Sequence, residues 1–321
     1  MSSYKQFQAS GRVDYPLESR KSRVHVSDFA QSLSGPGFSD FLHTLPNILA
    51  GRDLRMLVEK IRQARHKKRA LIWGFGGHVI KVGLAPLLID LMNNGFVTAF
   101  ATNGSGMIHD FEIALSGATS EDVERSLRKG SFGMARETGE ILNRAINQGA
   151  GEERGIGESV GVCLGKTQLR HPSLSVFHQA HRRHVPVTVH VAIGTDIIHN
   201  HPLASGEALG KGSQIDFRIL THQVSLLRDG GVYLNLGSAV LLPEVFLKAV
   251  SLVRNSGCEL ENFTTANLDF IQHYRPLQNV VRRPVAASGT GIALTGHHEI
   301  MIPMLAAMLL SEEAPTSAGR E

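Results

Sequence analysis

An α/β fold, with a mostly parallel sheet and helices on both faces, is the class predicted by three features of the sequence. Short apolar runs alternate with amphipathic helical stretches through residues 46–310. Glycine-rich bends directly follow two of those runs, at "WGFGG" (residues 73–77) and "ATNGSG" (residues 101–106). The composition, 42% hydrophobic and 19% charged over 321 residues, is that of an ordinary globular body.

The elements follow in order. Residues 1–45 are mixed polar with Gly35, Pro36 and Gly37, and read as an N-terminal arm or cap. A helix is expected from Asp53 to Lys68, then a strand in "ALIWGFGG", a helix from His78 to Asn93 and a strand in "FVTAFATN". In "TSEDVERSL", Thr119 and Asp122 have capping-box spacing, and a second amphipathic helix is expected from Gly133 to Gln148. The glycine-rich "GAGEERGIGESVG" reads as an internal loop or subdomain joint. Alternation then resumes with helix Pro172 to Arg183, strand "VPVTVHVAIG", helix Asp216 to Arg228, strand "GVYLNLG", helix Pro243 to Asn255, a strand near "LENFTTA" and a terminal helix. Phe217, Leu220, Val224 and Leu227 share one helical face, which marks core. Residues 311–321 are expected to be a disordered tail. In such sheets ligands sit beyond the carboxyl ends of the strands, so the loops after Trp73, Ala101, Ile193, Leu236 and Thr265 should share one rim.

Several function classes fall away. The formal charge is +4, and the one dense basic cluster, Arg65 to Arg69, ends a helix, where cations favour both the dipole and water. With aromatic residues at only 6%, no nucleic-acid partner is expected. Cys163 and Cys258 are far apart, which supports neither a disulfide framework nor a zinc ribbon, and a reducing cytoplasm is the expected location. The first residues lack the order of a signal peptide, and no apolar run approaches the ~18 residues that crossing a bilayer requires, so no membrane partner is expected.

Four stretches could carry chemistry. "WGFGGHVIKVG" offers amides between a strand and a helix, as a phosphate cradle or as a plain tight turn, without the GxGxxG spacing. "IGTDIIHNHP" offers Asp196, His199 and His201, as metal ligands, as polar site lining or as structural residues. "TGHHEI" offers His297, His298 and Glu299, which suit acid–base work and helix capping equally. "GESVG" has the spacing of a nucleophile elbow around Ser159, but "GEERGI" before it is no apolar strand, which disfavours a hydrolase.

Taken together, these stretches resemble the deoxyhypusine synthases. "FVTAFATNGSGMIHDFEIAL" looks like the strand, loop and helix that carry that family's Thr-Thr-Ala-Gly-Gly motif, two glutamates and an aspartate beside its NAD; Thr102, Gly106, Asp110 and Leu115 match without gaps. "SVFHQAHRRHVPVTVHVAIGTD" is similar to the family's helix and Ile-Pro-Val strand, and "VRNSGCELENFTTAN" to its Arg-Asn-Gly and Asn-Thr-Ala-Gln arrangement. Order and spacing hold from Arg69 to Ile300. The resemblance implies a single Rossmann-like domain with NAD at the strand ends, in a homotetramer whose sites lie between subunits. It implies cofactor contacts at Gly76, Gly77, Thr102, Asn103, Gly104, Ser105, Gly106, Asp196, Gly237, Ser238, Thr265 and Ala266.

The departures alter the expected reaction. Ile108 and His109 stand where the family has two acids, apolar residues surround Val245 and Phe246 where it has a histidine pair, and Glu299 stands where it has its reactive lysine. A carboxylate forms no Schiff base, so authentic deoxyhypusine synthesis is not expected. The expected enzyme uses NAD to oxidise a carbon bearing nitrogen or hydroxyl in a small polar substrate. In this reading His109 or His298 is the base and His297 is a further acid–base candidate, while Glu299 binds an amine or orients the base; Asp110, His199 and His201 line the substrate side or an alternative metal site. Two alternatives stay open: a metal-dependent hydrolase or lyase with Asp196, His199, His201 and part of His297 to Glu299 as ligands, and a non-catalytic nucleotide-binding protein.

Overall fold

The computed structural model describes residues 25–32, 35 and 37–311. Contacts divide the chain into a small unit ending at Arg52 and a large unit beginning at Asp53. In the small unit, a helical turn at Val26–Asp28 accompanies helix α1 (Phe38–Thr44), and the Asn47 amide donates to the Asp28 carbonyl at 3.0 Å. Most of the expected arm, and residues 312–321 of the expected tail, lie outside the described residues.

Helix α2 (Leu49–His66) leads into the large unit. The strands are β1 (Leu71–Phe75), β2 (Ala99–Asn103), β3 (Val187–His190), β4 (Val232–Leu236), β5 (Phe263–Asp269) and β6 (Gly289–Thr295). Among the described residues they form one sheet in the order β3-β2-β1-β4-β5-β6, with every neighbouring pair parallel. The helices are α3 (Gly77–Lys81), α4 (Ala85–Asn93), α5 (Gly104–Ser116), α6 (Val123–Arg128), α7 (Arg136–Gly151), α8 (Ile156–Lys166), α9 (Val176–Arg182), α10 (Gly206–Ser225), α11 (Leu241–Asn255), a single turn α12 (Tyr274–Pro276) and α13 (His298–Leu310).

Strands β1, β3, β4 and β5 are buried at every position, because both faces of the sheet are covered. On one face, Ile72, Ala99, Ala101 and Tyr233 pack against Leu220 and Val224 of α10 and Phe246, Ala249 and Val250 of α11. Tyr233 and Phe246 stack with ring centroids 3.7 Å apart. Phe75, of opposite parity to Ile72, faces α5 on the other side, where an added Cβ at Gly106 would stand 3.4 Å from its ring. Helices on both faces of a parallel sheet are what the sequence predicts.

Several boundaries differ from expectation for local reasons. The helix expected from His78 to Asn93 is two, broken where Gly83 takes φ +81°. The expected joint at residues 149–161 is only a short link between α7 and α8, and Ser159 lies inside α8 with its hydroxyl donating to the Gly155 carbonyl at 2.6 Å. Asp122 alone caps α6, accepting the Arg125 amide at 3.1 Å. Helix α10 begins ten residues before Asp216, which lies buried within it and accepts the amides of Gly157 and Val189, tying the start of α8 to strand β3. Strand β6 was not expected, and β5 extends to Asp269. No helix among the described residues is long and apolar enough to cross a membrane.

Candidate active site

The connections reverse direction between β1 and β4, and that switch point opens at the carboxyl ends of the strands. Gly76 and Gly77 follow β1, Asn103 ends β2 with Gly104 after it, and Gly237 and Ser238 follow β4, so these residues do share the expected rim. The loops approach each other closely. An added Cβ at Gly76 would come within 2.7 Å of the Gly237 carbonyl, and one at Gly77 would strike the Ser105 hydroxyl.

The bend after β2 is the start of a helix. Asn103 caps α5 by accepting the Gly106 amide at 3.0 Å, leaving the first amides of the helix without intrahelical partners. A Cβ on Gly104 would fall on the Asp196 carboxylate, so glycine lets this acid lie over the positive end of α5. Burial pushes the Asp196 carboxyl up to about 6. Thr102 is fully buried and donates to the Phe75 carbonyl at 2.8 Å, joining β2 to β1.

A cavity of about 470 Å³ opens beside this helix start. Ser105, His109 and Glu112 of α5 line it with Lys81 of α3, Asp196 after β3, and Glu121 and Phe132 from the segment around α6. His109 is half-buried; burial, with the Lys81 ammonium nearby, holds its imidazole down at about 4, so it is neutral at pH 7 and a weaker base than a free imidazole. His109 Nδ1 lies 2.7 Å from the Thr119 hydroxyl, which donates to Glu112 at 2.6 Å. The Thr138 hydroxyl donates to the second Glu112 oxygen at 2.9 Å.

The other expected site residues lie apart from this cavity. His298 is completely buried, its Nε2–H donating to the Leu268 carbonyl at 3.0 Å and its ring packed under Gly237. His297 and Glu299 are exposed, with Nδ1 and Oε1 3.6 Å apart. Because β5 extends past them, Thr265 and Ala266 lie fully buried inside the sheet, and the Thr265 hydroxyl donates to the Val280 carbonyl at 2.7 Å. The rim position of that strand belongs instead to Asp269, whose carboxylate accepts the Phe270 amide at 2.8 Å. Asp110 is buried away from the rim, accepting the Ser175 hydroxyl and the Val176 amide at the start of α9; burial pushes its carboxyl up to about 7.

The histidine loop does not assemble as a ligand set. His199 Nδ1 accepts the amides of Gly194 and Asp196, and its Nε2 lies 3.9 Å from the Asp196 carboxylate. His201 packs instead against Gly139 of α7 and accepts the Leu203 amide. Among the described residues no three His, Cys, Asp or Glu side chains converge as a metal site would require. The sequence reading missed Glu112, Thr119 and Thr138, although His109 and Glu112, three apart on a helix, share a face. It also missed the polar chain of buried Asn235, buried Asn267 and half-buried Gln272, which links the ends of β4 and β5 through bonds of 2.7 and 2.8 Å.

The strand order and the switch-point rim define an open, doubly wound α/β protein of the Rossmann kind. Within that class the fold is deoxyhypusine synthase-like. It is similar to that of a deoxyhypusine synthase-like protein from Entamoeba histolytica, with a TM-score of 0.50 at 10% identity over 85% of this chain and 93% of that one. A LOR/SDH-like protein from Methanococcus maripaludis S2 matches with a TM-score of 0.51 at 13% identity, over 82% of this chain and 70% of the other. AgrE, solved with ornithine and NAD+, matches with a TM-score of 0.52 at 14% identity over 82% of this chain; the match spans only 34% of AgrE. No family model and no curated protein matches the chain.

Proposed function

We propose that this protein is an NAD-dependent oxidoreductase acting on a small amine or amino acid, with His109 as the group that takes the substrate proton. The observation that carries this reading is the 470 Å³ cavity, which places a neutral imidazole, an ammonium and several carboxylates beside the helix start at the switch point. A dinucleotide would lie along this rim, held by the glycine-rich turns after β1 and β4 and by the amide donors at the start of α5, over which Asp196 now lies. Bound nicotinamide supplies a hydride acceptor or donor.

The chain's own residues supply the rest. His109 accepts a proton from the carbon substituent being oxidised, Lys81 holds a substrate carboxylate, and Asp196 or Glu121 holds an ammonium. AgrE is solved in a complex with NAD+ and ornithine, a diamino acid of the class proposed here. No lysine stands at the start of α13, where His298 is followed by an exposed Glu299, so the reading contains no enzyme-bound imine.

The test is NADH formation from NAD+ with a panel of amino acids, diamines and hydroxy acids. The reading expects absorbance growth with an amino-group substrate and its loss in His109→Gln. Turnover undiminished in folded His109→Gln contradicts the assignment of the base, and NAD+ binding without turnover of any panel member favours a nucleotide-binding protein.

A further inference from the structure

We infer that Glu112 and Thr119 form a relay that keeps the His109 proton on Nδ1 and leaves Nε2 bare, making both of them positioning residues for the base. The catalytic consequence rests on the proposed function; the proton assignment rests on hydrogen-bond chemistry alone.

The argument starts at the end of α5. Gly117 takes φ +83° at the helix C-cap, and this left-handed turn folds the chain back so that Thr119 lies over the α5 face carrying His109 and Glu112. A carboxylate only accepts, so the single Thr119 proton goes to Glu112, 2.6 Å away. The Thr119 oxygen then has only lone pairs to offer His109, 2.7 Å away, and Nδ1 must carry the hydrogen between them. Thr138 occupies the other Glu112 oxygen at 2.9 Å and keeps the carboxylate from rotating out of the relay. A neutral imidazole with its hydrogen on Nδ1 has its basic lone pair on Nε2. Loss of the relay leaves the ring free to exchange tautomers, so part of the population presents a donor where an acceptor is required.

Long-range proton–nitrogen correlation of the 15N-labelled full chain at pH 7 reads the tautomer directly, with His109 assigned by its disappearance in His109→Gln. The inference expects Nδ1 with the shift of a protonated nitrogen and Nε2 with that of a bare one. Thr119→Ser should keep this pattern, and Thr119→Val should move both shifts toward an average while lowering kcat on the order of 10²-fold. A proton on Nε2 in the wild-type protein overturns the relay, as does an unchanged pattern in Thr119→Val; the wild-type spectrum decides even if that variant does not fold. The relay and the function fail separately: a protein that has the Nδ1 proton but binds no NAD+ retains the relay and loses the proposed activity.

Discussion

The two halves of the sheet's carboxyl rim use histidine in opposite ways. At the end of β2, His109 borders a cavity, keeps one nitrogen engaged with Thr119 and sits beside Lys81 and Asp196. At the end of β6, His298 is sealed under Gly237, donates to a backbone carbonyl and has its Nδ1 buried without a partner. Histidine at a strand end is therefore not in itself a sign of chemistry. An imidazole can act on substrate only where it borders a cavity, and the β1–β3 half provides one while the β4–β6 half uses its polar groups to bind the loops together.

The largest effect that would sharpen this contrast is kinetic. His109→Gln should lower kcat by about 10²- to 10⁴-fold in a steady-state assay. Its stability should also differ from wild type in a pH-dependent way. The folded His109 pKa, about 4, lies below the unfolded value, so as pH falls from about 6.5 to 4 the unfolded chain takes up the proton first and wild type loses stability relative to His109→Gln. Urea midpoints of the two proteins across that interval check the sign, and a gap that widens in the other direction contradicts the assignment.

The opposite half should respond through the fold. At Gly237 the φ of +67° disfavours a side chain, and an added Cβ would stand 2.6 Å from His298 Cε1. Gly237→Ala should therefore cost about 2–4 kcal/mol in urea unfolding. Asp110→Asn comes next, at about 1–2 kcal/mol, because one of the oxygens that accept from Ser175 and Val176 becomes a donor; NAD+ affinity should not change. The smallest effect is expected at the exposed Glu299, where Glu299→Gln should shift stability by less than about 0.5 kcal/mol and leave turnover intact. A large loss of kcat there would return the active centre to α13.

Much of the fold was legible because burial on both faces writes parallel strands as continuous apolar runs, as in "ALIWGF" and "GVYLNL". Strand β6 was not legible: "GTGIALT" carries two glycines and buries only Ile292 and Leu294, so it reads as a turn. Strand β5 was cut short at Ala266 because Asn267 looks like a strand end, whereas in the structure it is buried and paired with Asn235 and Gln272. At the site, the bend after β2 was visible through its glycines, and His109 through its place on the following helix. Thr119 and Thr138 were not, since hydroxyls ten and 26 residues from their partners leave no periodic trace.

The central claim, that the rim beside α5 holds a dinucleotide, is tested most directly by calorimetric titration of NAD+ into wild type and Gly104→Val. Wild type should bind in the micromolar range, and the variant, whose side chain would fall on the Asp196 carboxylate, should bind at least about tenfold more weakly. No binding by folded wild-type protein, or equal affinity in a folded Gly104→Val protein, would contradict it.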